Sequence, residues 1–122
     1  MPRANGQHPP RRLQPRLDLV IEKNGREWLS LRMVILLEAI DARGSISAAA
    51  HAARMPYRNA WDKLGRLERS VGRKLLRRQA GGRRGGGTRL TPAGRQIVAK
   101  FRSFAANLEQ QVERQFRRVY RA

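Results

Sequence analysis

The spacing of apolar residues changes character along this chain. Leu17, Leu19 and Ile21 alternate with Asp18, Val20 and Glu22, a period of two that predicts a strand. Asn24-Gly25 follows, a pair that can supply both positive-φ residues of a type I′ turn. Trp28 and Leu29 then belong to a return strand. The segment predicts a β-hairpin; the alternative is an irregular lead-in to the first helix. From Ser30 the period lengthens. Ser30 is an N-cap for a helix running to about Ala42, with Met33, Leu36, Leu37 and Ile40 as its apolar stripe. Gly44 stops it in the left-handed geometry usual after a helix. Ser47 is expected to cap a short alanine-rich helix, Ala48–Ala53, whose small side chains permit close packing.

Met55-Pro56 breaks the pattern, and a third helix is predicted from Tyr57 to about Val71. At 100° per residue, Ala60, Leu64, Leu67 and Val71 share one face. Arg58, Asp62, Arg66 and Arg69 lie opposite, Asn59 lies at the edge, and Trp61 falls on the boundary. Two helices joined by a short turn, the second with a basic outer face, describe a helix-turn-helix. Leu75-Leu76 can begin a strand and Thr88–Leu90 can return it, around the glycine-rich loop QAGGRRGGG. That is a two-stranded wing. Thr91 caps the last helix, with Pro92 at its first position, where a missing N–H costs nothing. This helix is predicted to reach about Tyr120. Its stripe of Ile97, Phe101, Phe104, Leu108, Val112, Phe116 and Val119 is too long for a domain this small to cover, which suggests pairing with a second copy.

The organisation expected is therefore a disordered basic tail over 1–15, a hairpin plus winged helix-turn-helix over 16–91, and a long dimerisation helix over 92–122. The fold class is mainly α.

Composition sharpens this picture. The 122 residues include 27 Lys and Arg against 9 Asp and Glu, a formal charge of +18. Residues 71–95 carry eight basic residues and no acid. So much charge on so small a body implies a polyanionic partner, most often nucleic acid. There is no cysteine, which excludes disulfides and cysteine-ligated metals. The longest apolar run, Met33–Leu37, is far short of a membrane span, and the first residues offer no signal peptide. A cytoplasmic protein without membrane contact is the expectation. The tail either aids solubility or lies along a DNA groove.

Candidate chemistry follows from residue type. Arg58, Asn59, Asp62 and Arg66 are candidates for base edges: arginine suits guanine, asparagine suits adenine, and a carboxylate can accept from cytosine. Ser47, Tyr57, Lys63, Arg73, Lys74, Arg77, Arg78, Arg83, Arg84 and Arg89 are candidates for phosphate or the minor groove. Tyr57 and Trp61 also suit packing between the third helix and the wing. Phe101, Phe104, Leu108, Val112 and Phe116 are the dimerisation candidates. The wing glycines do not form a nucleotide-binding loop, because no Lys-Ser/Thr pair follows them. His8 and His51, far apart in sequence, suggest neither a metal site nor a catalytic triad, and no paired acids suggest acid–base work. No enzyme activity, cofactor or metal is expected.

Three pieces together are more specific than a helix-turn-helix: GSIS before alanines, the Y-x-x-A-W-D set of Tyr57, Ala60, Trp61 and Asp62, and GGRRGGG leading into LTPAG. The stretch resembles the DNA-binding half of the molybdate-responsive regulator (ModE) family, a winged helix-turn-helix of the LysR type. The resemblance covers about Ser30–Tyr120. Full members continue into a molybdate-binding domain; this chain ends at Ala122, so molybdate sensing is not carried over. The family usually has Gly and Ser where this chain has Arg54 and Pro56. The resemblance implies a homodimeric, sequence-specific regulator acting on double-stranded DNA. An architectural, weakly specific nucleic-acid-binding protein is the alternative. A third possibility is a DNA-binding module that serves a separate effector-sensing subunit.

Overall fold

A computed structural model describes residues 12–79 and 87–120. The described residues divide into two compact units, one within 18–105 and one made of 12–17 with 106–120.

The larger unit opens with the expected hairpin. Strands β1 (Val20–Lys23) and β2 (Arg26–Ser30) pair antiparallel. Asn24 and Gly25 take φ of 56° and 78°, as a type I′ turn requires. The register slips between Ile21 and Glu22. A bulge of this kind re-aims side chains, and the adjacent Trp28 and Leu29 both pack toward the core.

Helix α1 (Leu31–Arg43) begins where Ser30 Oγ accepts the Met33 N–H at 3.2 Å. It ends at Gly44, φ 74°. Helix α2 spans Ile46–Ala52, and its cap is Ser45, whose Oγ accepts the Ala48 N–H at 3.1 Å. The cap therefore lies two residues before Ser47, the one expected. With Ser45 as cap, Ile46 enters the helix and is buried, while Ser47 is exposed on the first turn. Helix α3 (Tyr57–Val71) buries Ala60, Leu64 and Leu67 and stops at Gly72. Strands β3 (Leu76–Gln79) and β4 (Gly87–Leu90) pair antiparallel, Leu76 opposite Leu90. Helix α4 spans Pro92–Tyr120. Thr91 Oγ1 caps it by accepting the Gly94 N–H at 3.1 Å, and donates to the Lys74 carbonyl at 2.7 Å.

Helix α1 is central to the core of this unit: Val34, Leu36, Leu37 and Ile40 are fully buried, along with Leu75. Each such side chain contributes about 1.5–3 kcal/mol. Phe101 and Ala105, from the first half of α4, complete the cluster. This corrects one expectation. Spacing groups Phe101 with the stripe left for a partner, but it is 2% exposed and already buried inside the domain. Helical periodicity draws one continuous stripe whatever covers each part of it.

Gly94 is fixed by close approach: a β-carbon there would lie 2.5 Å from the Leu75 carbonyl oxygen. Strand β4 is held to the end of α1 by the Thr88 N–H, which donates to the Gly44 carbonyl at 2.9 Å.

In the smaller unit, Pro15 and Leu17 line a shallow groove with Leu108, Val112, Phe116 and Val119. The Phe116 and Tyr120 rings stack at 5.1 Å. No helix among the described residues is long and apolar enough to cross a membrane.

Candidate nucleic-acid interface

Burial of Ala60, Leu64 and Leu67 turns the other side of α3 outward. Arg58, Asn59, Asp62 and Arg66 are all exposed. Arg58, Asp62 and Arg66 recur every fourth residue, so they form one row along the helix. No hydrogen bond or ion pair commits the side chains of Arg58, Asn59 or Asp62 among the described residues. Arg66 stands toward the hairpin, lining an open cleft with Lys23, Arg26, Trp28 and Lys63. Lys63 pairs there with Glu27 at 3.6 Å.

Tyr57 and Trp61 meet edge to face, with centroids 6.2 Å apart. They are 50% and 44% exposed. Trp61 also lines a cleft with Leu64, Leu76, Arg78 and Thr88, so it stands between α3 and the wing while much of its surface stays open.

The wing is bolted to α3 by a residue that the sequence pattern does not single out. Glu68 Oε2 accepts the backbone N–H of Leu75 at 2.8 Å and of Leu76 at 3.1 Å. Its other oxygen lies 3.9 Å from Lys74 Nζ. Asp41 does the same on the return strand: Oδ1 accepts the Leu90 N–H at 3.1 Å, and Oδ2 lies 3.7 Å from Arg95 Nε. In sequence, both acids look like ordinary surface charge in a basic chain. A nearby pair of a different kind, Glu38 and Arg102, joins α1 to α4 through two bonds of 2.8 and 2.7 Å.

On the wing itself, Arg77 stands directly opposite Arg89. Two like charges in a cross-strand pair repel, which suits a surface awaiting an anion. Arg89 is partly committed, donating to the Asp41 carbonyl at 3.0 Å. Arg78 shares its strand face with Leu76, two residues away, and lines the cleft with Trp61. Arg73 and Lys74 are exposed in the connection to the wing, and Ser47 is exposed on α2. Arg83 and Arg84, at the expected wing tip, lie outside the described residues, as do residues 1–11 of the tail. Among the described residues, no cluster of three or more potential metal ligands is present.

Comparison with known proteins agrees with this geometry. The chain is 41% identical over 86 residues to the molybdenum transport protein ModE of Azotobacter vinelandii, covering 70% of this chain and 32% of that protein. It is 30% identical over 86 residues to the DNA-binding transcriptional dual regulator ModE of Escherichia coli, with 70% and 33% covered. The chain thus spans about a third of the length of these curated relatives. Among solved structures, the CbnR DBD–DNA complex shares the fold at a TM-score of 0.54 and 23% identity, over 69% of this chain and 91% of that one. The family model for bacterial regulatory helix-turn-helix proteins of the lysR family matches residues 31–95, from the start of α1 into α4. It takes in the helix-turn-helix, the wing and the LTPAG turn together, and the chain belongs to that family.

Proposed function

We propose that this chain binds double-stranded DNA in a sequence-dependent way and regulates transcription where it binds. The observation that carries this reading is the outer face of α3. Arg58, Asn59 and Asp62 are exposed and uncommitted on a helix whose opposite face is buried. Such a helix enters a major groove, where arginine and asparagine can each make two hydrogen bonds to a purine edge. The wing, fixed to α3 through Glu68, brings Arg77 and Arg89 toward the backbone, where they bind phosphate without reading sequence. The Escherichia coli relative, named a DNA-binding transcriptional regulator, supports the same class of function.

A second copy pairs along α4. Leu108, Val112 and Phe116 line one groove, and Phe104 is 50% exposed. Pairing of identical helices covers such a stripe and sets the spacing between two recognition helices. The chain works as a regulator in the cytoplasm, not as an enzyme.

The charge of +18 favours one second reading, an architectural protein that binds nucleic acid with little sequence preference. Competition between a selected site and random duplex separates the two. A specific regulator prefers its site by about 10³-fold or more; an architectural protein does not discriminate.

A further inference from the structure

Five described residues take positive φ: Asn24, Gly25, Arg54, Gly44 and Gly72. Glycine visits this region freely and asparagine tolerates it. Arg54, at φ 55°, does neither. The turn between α2 and α3 needs this conformation but not this side chain. It is closed by backbone groups: the Arg54 N–H donates to the His51 carbonyl at 3.1 Å, and the Met55 N–H to the Ala50 carbonyl at 2.9 Å. The Arg54 side chain is exposed and has no hydrogen bond or ion pair among the described residues. No acid occurs between Asp41 and Asp62, so the nearby sequence offers it no counter-charge. Arg54 stands three residues before Tyr57, where α3 begins. An exposed side chain that strains its own backbone and holds no polar partner among the described residues contributes little to folding, and its charge lies beside the helix proposed to enter the groove.

We propose that Arg54 is a DNA-backbone contact, its guanidinium binding a phosphate of the duplex that receives α3. The inference rests on the proposed DNA-binding function. Phosphate is the ligand because guanidinium matches its geometry with paired donors and because Arg54 lies outside the helix that faces the bases. The left-handed turn is the geometry that presents it.

Three variants test this: Arg54→Asn and Arg54→Gly suit the turn and remove the charge, and Arg54→Lys keeps the charge. Each is titrated into a labelled mixed-sequence DNA duplex over a series of salt concentrations, with thermal unfolding measured in parallel. The Asn and Gly variants should unfold at or above the wild-type temperature. Their slope of log K against log salt should be shallower by about 0.9 per subunit, or about 2 for a dimer. Affinity should fall by a similar factor on any sequence, and the Lys variant should keep the wild-type slope. Wild-type slope and affinity in the Asn and Gly variants overturn the contact. So does a Lys variant that loses as much as Asn, or a fall in unfolding temperature large enough to make the residue structural. Wild-type protein that fails to bind the duplex overturns the DNA-binding function itself, a different failure from wild-type binding that ignores position 54.

Discussion

The carboxylate of Glu68, near the end of α3, accepts the backbone N–H of Leu75 at 2.8 Å. Helix α3 and the wing are thereby tied through the hydrogen bonds of one side chain. A hydrogen bond to an ionised group contributes about 1.5–3 kcal/mol, and its loss strands a partly buried N–H. Glu68→Ala should therefore destabilise the fold by about 2 kcal/mol in chemical denaturation. It should also weaken DNA binding, although Glu68 belongs to the internal side of α3. Full stability in this variant would mean that the other contacts of the wing, among them Asp41 with Leu90 and Thr88 with Gly44, hold it without Glu68.

Gly94 makes a second rigid contact with the same strand entrance. Its missing β-carbon leaves room for the Leu75 carbonyl oxygen, 2.5 Å from where that carbon would stand. Leu75 is fully buried, and its backbone cannot retreat without moving the core. Overpacking of this kind costs about 1–3 kcal/mol. Gly94→Ala should lower the unfolding midpoint accordingly, whereas Ala99→Gly, on an exposed turn of the same helix, should cost only about 1 kcal/mol. A Gly94→Ala variant as stable as wild type or more so, as the higher helix propensity of alanine alone would give, would contradict the close approach.

Local rules make much of this fold legible. Tyr57 and Val71 bound α3 as expected, because Pro56 interrupts the pattern before it and Gly72 supplies a left-handed stop after it. Ser30 and Gly44 bracket α1 for similar reasons. The cap of α2 is less decidable, since Ser45 and Ser47 flank Ile46 and either hydroxyl suits a cap. The burial of Ile46, a tertiary fact, decides for Ser45. Phe101 shares the periodicity of Leu108 and Phe116, so sequence spacing does not tell a residue buried in the core from one left in a groove. The anchoring roles of Asp41 and Glu68 are hidden for another reason. Asp41 bonds to Leu90 across 49 positions, and nothing in an isolated acid on a helix surface announces so distant a donor. For the candidate interface, the exposed row of α3 follows directly from its buried face, whereas the partial commitment of Lys63 to Glu27 and of Arg89 to Asp41 requires the folded chain.

The stripe on α4 carries the assembly prediction. Leu108, Val112 and Phe116 are half-buried, and a symmetric partner would complete their burial. Placing an unpaired carboxylate in such a contact costs several kcal/mol. Leu108→Glu with Phe116→Glu should give a folded monomer in sedimentation, with steeply reduced DNA affinity. A wild-type protein that is monomeric at micromolar concentration, together with unimpaired DNA binding by the variant, would remove the dimer.

The most direct test of the proposed function is selection of bound duplexes from a random DNA library, carried out side by side for wild type, Arg58→Ala and Asn59→Ala. Enrichment reports sequence preference directly, with no target site chosen in advance. Wild type should enrich a defined motif with two related half-sites. On that motif each variant should lose about 1–3 kcal/mol of binding, and its enrichment should relax at a limited set of base positions. No enriched motif for wild type, or identical enrichment for all three proteins, would contradict the assignment of α3 as the helix that reads DNA.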